Sequence, residues 1–198
     1  MVELKLSEVL HDTGKQILVI LGNGMKEKRI LSEIAPKYNG TGCTLVLTSL
    51  PYPYVVKRGI SALEAVFVLI HSRYKINNIL FIVDKEHIKS PDLRELSEKL
   101  KKHGCIIRKM EPIGENAWVF EGVHGLSHLS IYVAVAGEEK GMEEEIQRFR
   151  EILGITADIS ERKLLKEIKQ VKREELEKCF KGLTAVLKFL ELHYINLM

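Results

Sequence analysis

The chain is poor in covalent staples and in long apolar runs. It has three cysteines, Cys43, Cys105 and Cys179, far apart and with no C-x-x-C pair. This odd count argues against a disulfide frame or a cysteine-rich zinc site and suits reduced, buried thiols. The longest uninterrupted apolar run, "AVFVLI", is far too short for a membrane-spanning helix. The first residues, "MVELKLSEVLHDTGKQ", lack the basic-then-apolar order of a secretory signal, so a soluble, cytoplasmic protein is expected. Neither charge sign dominates. Thirty Lys and Arg face 27 Asp and Glu, a net charge of +3, so the chain as a whole is no electrostatic magnet for nucleic acid or an anionic membrane, and any basic surface has to be local. No internal repeat and no low-complexity linker interrupts it.

What is present is enough apolar material, 45% of 198 residues, for one well-filled core. Apolar runs alternate with amphipathic ones in a βαβαβα order. "ILVIL" precedes a helix that Pro36 stops, and "CTLVLTSL" follows. Pro51 and Pro53 make "PYPYVVKRG" a loop, because proline cannot join a central strand. A helix is expected from Ser61 to about Tyr74, then the strand "NILFIVD", a helix from about Pro91 to Lys102, and the strand "CIIRKM". "AWVFEGVHG" and "LSHLSIYVAVAG" read as a strand pair leading into a helix from Gly141 to about Leu153. The remainder is helical by spacing, with a joint at Gly182. The expectation is an α/β fold: a mostly parallel sheet of four or five strands with helices on both faces. A soft boundary near Thr156 separates an α/β domain, 1–155, from a helical C-terminal extension, 156–198, packed on it or used for homo-oligomer association. The Lys-, Glu- and Ile-rich composition leans thermophilic.

The segment "ILVILGNGMKEKRILS" reads as a strand, a tight Gly22-Asn23-Gly24 corner and a helix start, where α/β proteins keep their binding chemistry. A dinucleotide fingerprint fits poorly. The third glycine is replaced by Glu27, which would oppose a pyrophosphate, and the second strand ends in Thr48 and Ser49 with no acid to hold a ribose.

A different pattern covers more of the chain. "NGMKEKRIL" resembles the opening motif of Toprim domains, roughly E-G-x-x-D before an apolar helix face: Gly24 matches, Glu27 stands for the Asp, and Ile30 and Leu31 take the apolar places. Asn23 occupies the position of the Glu. "FIVDKEH" places Asp84 and Glu86 like the D-x-D pair of that family. "YVAVAGEEKGMEEEI" is similar, at Gly141, Met142 and Glu143, to a later strand-to-helix element of its overcoming-lysogenization-defect-type nuclease branch. The resemblance spans roughly residues 15–155. It implies a Toprim/Rossmann-like fold and a metal-dependent nuclease or phosphoryl-transfer protein acting on DNA or RNA with Mg²⁺ or Mn²⁺. Asp84 and Glu86 would be the metal ligands, Glu27 or Glu143 a supporting ligand or base, and Gly22, Asn23 and Gly24 the phosphate-binding corner. On an extended strand end, residues i and i+2 point the same way, which would put both carboxylates on one cation. A neutral amide at 23 cannot move a proton as Glu would, so weakened or lost turnover is expected.

Each element also has a structural reading. The corner serves as a plain turn, Asp84 and Glu86 lead into a helix capped by Ser90 and started by Pro91, and "EEKGMEEEI" is an acidic helix start suited to the dipole. On that basis the protein is a non-catalytic metal- or nucleic-acid-binding module, or a nucleotide-binding or structural α/β protein. His124 and His128 have no third ligand by spacing and read as surface residues. The run "RKLLKEIKQVKREELEKCFK" reads as a solvated face of paired charges.

Overall fold

The computed structural model describes residues 3–9, 16–40, 42–47, 58–64, 77–90, 92–155 and 159–195. Its centre is a seven-stranded sheet formed by β1 (Lys5–Ser7), β2 (Gln16–Leu21), β3 (Thr44–Val46), β4 (Asn78–Asp84), β5 (Cys105–Gly114), β6 (Ala117–His124) and β7 (Ser127–Ala136), in the order β1-β3-β2-β4-β7-β6-β5. The first five strands in that order pair in parallel, and β6 and β5 continue the sheet antiparallel. The parallel strands are buried on both faces. Ile17–Ile20 and Ile79–Asp84 lose nearly all contact with water, which explains why they read as unbroken apolar runs rather than alternating ones.

Two apolar layers cover the sheet. One side carries α1 (Met25–Ile34), α3 (Met142–Ile152), α4 (Glu161–Gln170), α5 (Arg173–Cys179) and α6 (Lys181–Ile195), whose Ile30, Ile146, Phe149, Leu164 and Leu187 share a core with Val19 and Ile82. The other side carries α2 (Arg94–Lys102) and the turn Gly59–Leu63, with Leu63, Leu96 and Leu100 against Phe81 and Val133. The C-terminal helices thus bury their apolar faces in the same core as β2 and α1. The close fit shows at Gly182, which lies inside α6. A side-chain carbon there would sit 2.4 Å from the Val135 carbonyl oxygen, while the break in the helices falls two residues earlier, at Phe180.

Several expectations change. The sheet has seven strands rather than four or five, because β1 is too short to show a pattern and β5–β7 add an antiparallel meander. β5 is an antiparallel edge strand, not a buried parallel one: only Cys105 of it is fully buried, and two irregularities and Pro112 break its ladder with β6. α2 begins at Arg94, after Leu93 in a left-handed conformation (φ 52°). Pro91 and residues 65–74 of the expected Ser61–Tyr74 helix lie outside the described residues, as do 48–57, 75–76 and 156–158.

Candidate functional site

The chain leaves β2 toward β3 on one side and later returns to lay β4 along the other, so the carboxyl ends of β2 and β4 flank a topological switch point. Crevices at such points are where open α/β sheets bind ligands. Here the crevice is a cleft of about 470 Å³ lined by Asn23, Lys26, Glu27, Asp84, Glu86, Lys140, Met142 and Glu143. The structure therefore brings together the corner, the acids of the β4 end and Glu143.

Each wall has a local cause. Gly24 caps α1 at φ 115°, ψ −122°, a conformation that side chains disfavour, and open space surrounds it; backbone freedom, not crowding, calls for glycine there. The resulting sharp exit from β2 puts Glu27 in the first turn of α1, where it is 3% exposed. On the far wall, Gly141 is extended (φ 166°), and a side-chain carbon there would lie 2.2 Å from the Asp84 carboxyl carbon. That contact lets the start of α3 close over Asp84, and the Met142 N–H donates to Asp84 Oδ1 at 3.0 Å.

Asp84 is itself 3% exposed. Its second oxygen, Oδ2, accepts from the Asn23 amide nitrogen, and the Asn23 amide oxygen meets His87 Nε2 at 2.9 Å. A carboxylate only accepts, so the amide turns its NH₂ to Asp84 and its oxygen to His87, which must then donate from Nε2. The corner is tied down further: Gly22 N–H donates to the Ile82 carbonyl at 2.7 Å and Gly59 N–H to the Gly22 carbonyl at 2.8 Å. His87 packs on Gly59 so closely that a side-chain carbon there would fall 2.8 Å from the imidazole.

Burial, with Glu143 and Glu86 nearby, raises the Asp84 pKa against the opposing Met142 N–H and His87. Glu27 is raised by burial first, with Asp84 and Glu143 adding to it. No hydrogen bond or ion pair from another residue reaches the Glu27 carboxylate among the described residues. Glu143 moves the other way, lowered by its hydrogen bond with Lys26 at 2.6 Å.

Glu86 is placed differently from the expectation. The extended strand ends at Asp84, and Lys85–His87 forms a single 3₁₀ turn, so the i, i+2 geometry of a strand end does not hold. The Glu86 N–H donates to the Lys140 carbonyl at 2.9 Å, and its carboxylate stands exposed on the rim, 3.7 Å from His87. Ser90 does not cap α2 as its N-cap residue. Its hydroxyl accepts from Arg94 N–H at 3.2 Å and, with the Lys89 and Ser90 N–H groups, binds Glu95. His124 and His128 lie on β6 and β7, with His124 against the His103 carbonyl at 3.0 Å. Lys26, His87 and Lys140 belong to the site although no motif singled them out. The one available signal was adjacency: each lies within one residue of an acid or glycine already noted.

No group of three or more His, Cys, Asp or Glu side chains is arranged to hold a metal ion among the described residues. What the cleft offers is two buried carboxylates, Glu27 and Asp84, and an amide. Mg²⁺ is commonly held by one or two carboxylates, with water and substrate phosphate completing the shell. Each Asp84 oxygen retains a free lone pair beyond its hydrogen bond, and Glu27 is a hard oxygen donor that, among the described residues, takes no hydrogen bond from another residue, so the donor set fits that cation. No family model matches the chain, and no curated protein or solved structure matches it either. The fold class is an α/β protein with a mostly parallel sheet, and no helix among the described residues is long and apolar enough to cross a membrane.

Proposed function

We propose that the cleft binds a divalent cation, Mg²⁺ or Mn²⁺, together with a phosphodiester of DNA or RNA, and that the protein is a Toprim-like, metal-dependent nuclease or phosphoryl-transfer protein with weakened turnover. One observation carries this reading: the Glu27 carboxylate, 3% exposed, faces the cleft beside Asp84 and, among the described residues, takes no hydrogen bond or ion pair from another residue, only its own N–H and the more distant charge of Lys26 opposing its burial. A buried carboxylate left this way costs several kcal/mol unless it is protonated or meets a cation. The resemblance around Gly24, Glu27 and Asp84 supports the same conclusion.

When bound, the ion would polarise a phosphoryl oxygen and orient water. The chain's own residues do the rest. Glu27 and Asp84 hold the cation, and Met142 N–H and the Asn23 amide keep Asp84 aimed. The open N-terminal turn of α1 at Gly24 presents backbone N–H groups and a positive dipole end to a phosphate. With an amide at 23, no group there accepts a proton, which limits turnover.

The test is melting temperature with and without Mn²⁺. A ligand that binds only the folded state stabilises it by about 2.7 kcal/mol at a hundredfold excess over Kd, so the wild type should shift upward. Asp84→Asn with Glu27→Gln keeps the shape and removes the charge, and the shift should vanish. No shift in the wild type up to millimolar Mn²⁺, or an equal shift in the double variant, would leave a structural α/β protein with a capped helix.

A further inference from the structure

We infer that Lys26 and Glu143 form an exchangeable pair that stands in for the ligand: on binding, Glu143 passes to the cation and Lys26 to the phosphate, so that the cleft takes a phosphate only once the cation is in place. This rests on the cation site proposed above and adds how the phosphate is recognised.

The geometry is specific. Lys26 lies in the first turn of α1 and Glu143 in the first turn of α3, one on each side of the cleft, and they meet at 2.6 Å across its mouth. Both line the cleft that Glu27 and Asp84 face. Their side chains are 46% and 63% exposed, so the pair is weakly held and readily traded. Charge sets the order of events. The lining carries four carboxylates, Glu27, Asp84, Glu86 and Glu143, against the ammonium groups of Lys26 and Lys140. A phosphate arriving alone meets a net negative wall, and a cation arriving alone is attracted. Once the cation is in place, Glu143 is drawn from Lys26 toward it. Lys26 is then freed at the N-terminal end of α1, where the phosphate is expected. One ion pair, Lys26–Glu143, is replaced by two, Glu143–cation and Lys26–phosphate.

A double-variant cycle followed by calorimetry tests this. Mn²⁺ alone is titrated into the wild type, Lys26→Met, Glu143→Gln and the two combined; inorganic phosphate is then titrated into each Mn²⁺-loaded protein. Lys26→Met should tighten Mn²⁺ about tenfold, because it releases Glu143. In the Glu143→Gln background the same change should do little. Phosphate should bind the Mn²⁺-loaded wild type, fail to bind without Mn²⁺, and bind Lys26→Met at least tenfold more weakly, with Lys26→Arg restoring it. Lys140→Met removes a charge from the same lining and should not reproduce the dependence on Glu143. Equal tightening by Lys26→Met in both backgrounds would mean that Lys26 acts by charge alone and would overturn the exchange. Phosphate binding that ignores Mn²⁺ or Lys26 would overturn it as well. If the wild type binds no Mn²⁺, the cation site falls and the exchange with it; if it binds Mn²⁺ while the cycle is additive, only the exchange falls.

Discussion

If the cleft works as proposed, Asn23 is the residue on which turnover would depend. It donates to Asp84 and accepts from His87, so its amide fills with a hydrogen bond the place where a carboxylate would share the cation. Asn23→Glu would put a third acid beside Glu27 and Asp84, and a group able to take a proton beside the phosphate. Since a placed acid or base contributes roughly 10²–10⁴-fold, cleavage of labelled DNA or RNA in Mn²⁺ should rise at least tenfold. The same variant should melt lower in chelator, because a third carboxylate then stands beside the two buried ones, Glu27 and Asp84, and repels them. Unchanged cleavage with an intact Mn²⁺ shift would remove position 23 from the chemistry. Gly24, Glu27 and Asp84 were legible because strand ends and helix starts announce themselves locally. The Asn23–His87 contact was not: it links residues 64 apart in sequence, and no spacing rule reports it.

At the scale of one element, α3 carries a group that the site does not use. Glu145 is 1% exposed, neither of its oxygens has a hydrogen-bond partner among the described residues, and burial pushes its pKa up to about 8, with Asp84 and Glu144 adding to the rise while the nearby Gly137 N–H and Arg148 oppose it. An acid raised this way stays protonated in the folded state while the unfolded chain ionises above the ordinary value of 4.5. Stability is therefore full below about pH 4.5 and falls as pH rises toward 8, by an amount on the order of a few kcal/mol. Glu145→Gln should flatten the fall in melting temperature between pH 5 and 8 and raise stability at neutral pH; a parallel curve would place the proton elsewhere. The acidic run "MEEEI" was legible as a helix start, and α3 does begin at Met142. Which of its acids points inward was not, because that depends on the sheet behind it. α2 shows the converse: Ser90 and Pro91 looked like a cap, but a left-handed Leu93, 1% exposed, sets the true start. Core packing overrode the local signal.

Across the whole molecule, one arginine joins the last two helices to the chain after α1. Arg173 lies 4.0 Å above the Tyr38 ring and pairs with both Glu177 and Glu191 at 2.8 Å, and Glu191 accepts from the Asn39 backbone and side chain at 2.9 Å. The charged run read as a solvated face thus includes a joint between α5, α6 and the chain after α1. Arg173→Ala should cost about 2 kcal/mol, since it leaves two partly buried carboxylates without their shared cation. Arg173→Lys, which lacks the planar fork, should recover less than half. Urea midpoints at unchanged slope would measure both. Of the parallel strands, β2, β3 and β4 were legible from their apolar runs, and β5 was taken for another of them because "CIIRKM" starts as they do. The β5–β6–β7 meander differs from the rest in another way. Its neighbours in space are neighbours in sequence, closing at pairs such as His124↔Ser127, whereas β2 meets β3 and β4 only after long crossovers such as Ile17↔Asn78. Short loops close at little entropic cost and long ones late. The meander is therefore the part of the chain that should form first, with β4 then docking on β7 and the switch-point cleft assembling last. Pulse-labelled hydrogen exchange during refolding should protect amides of 117–136 ahead of those in β2 and β3, and the reverse order would make the parallel core the nucleus.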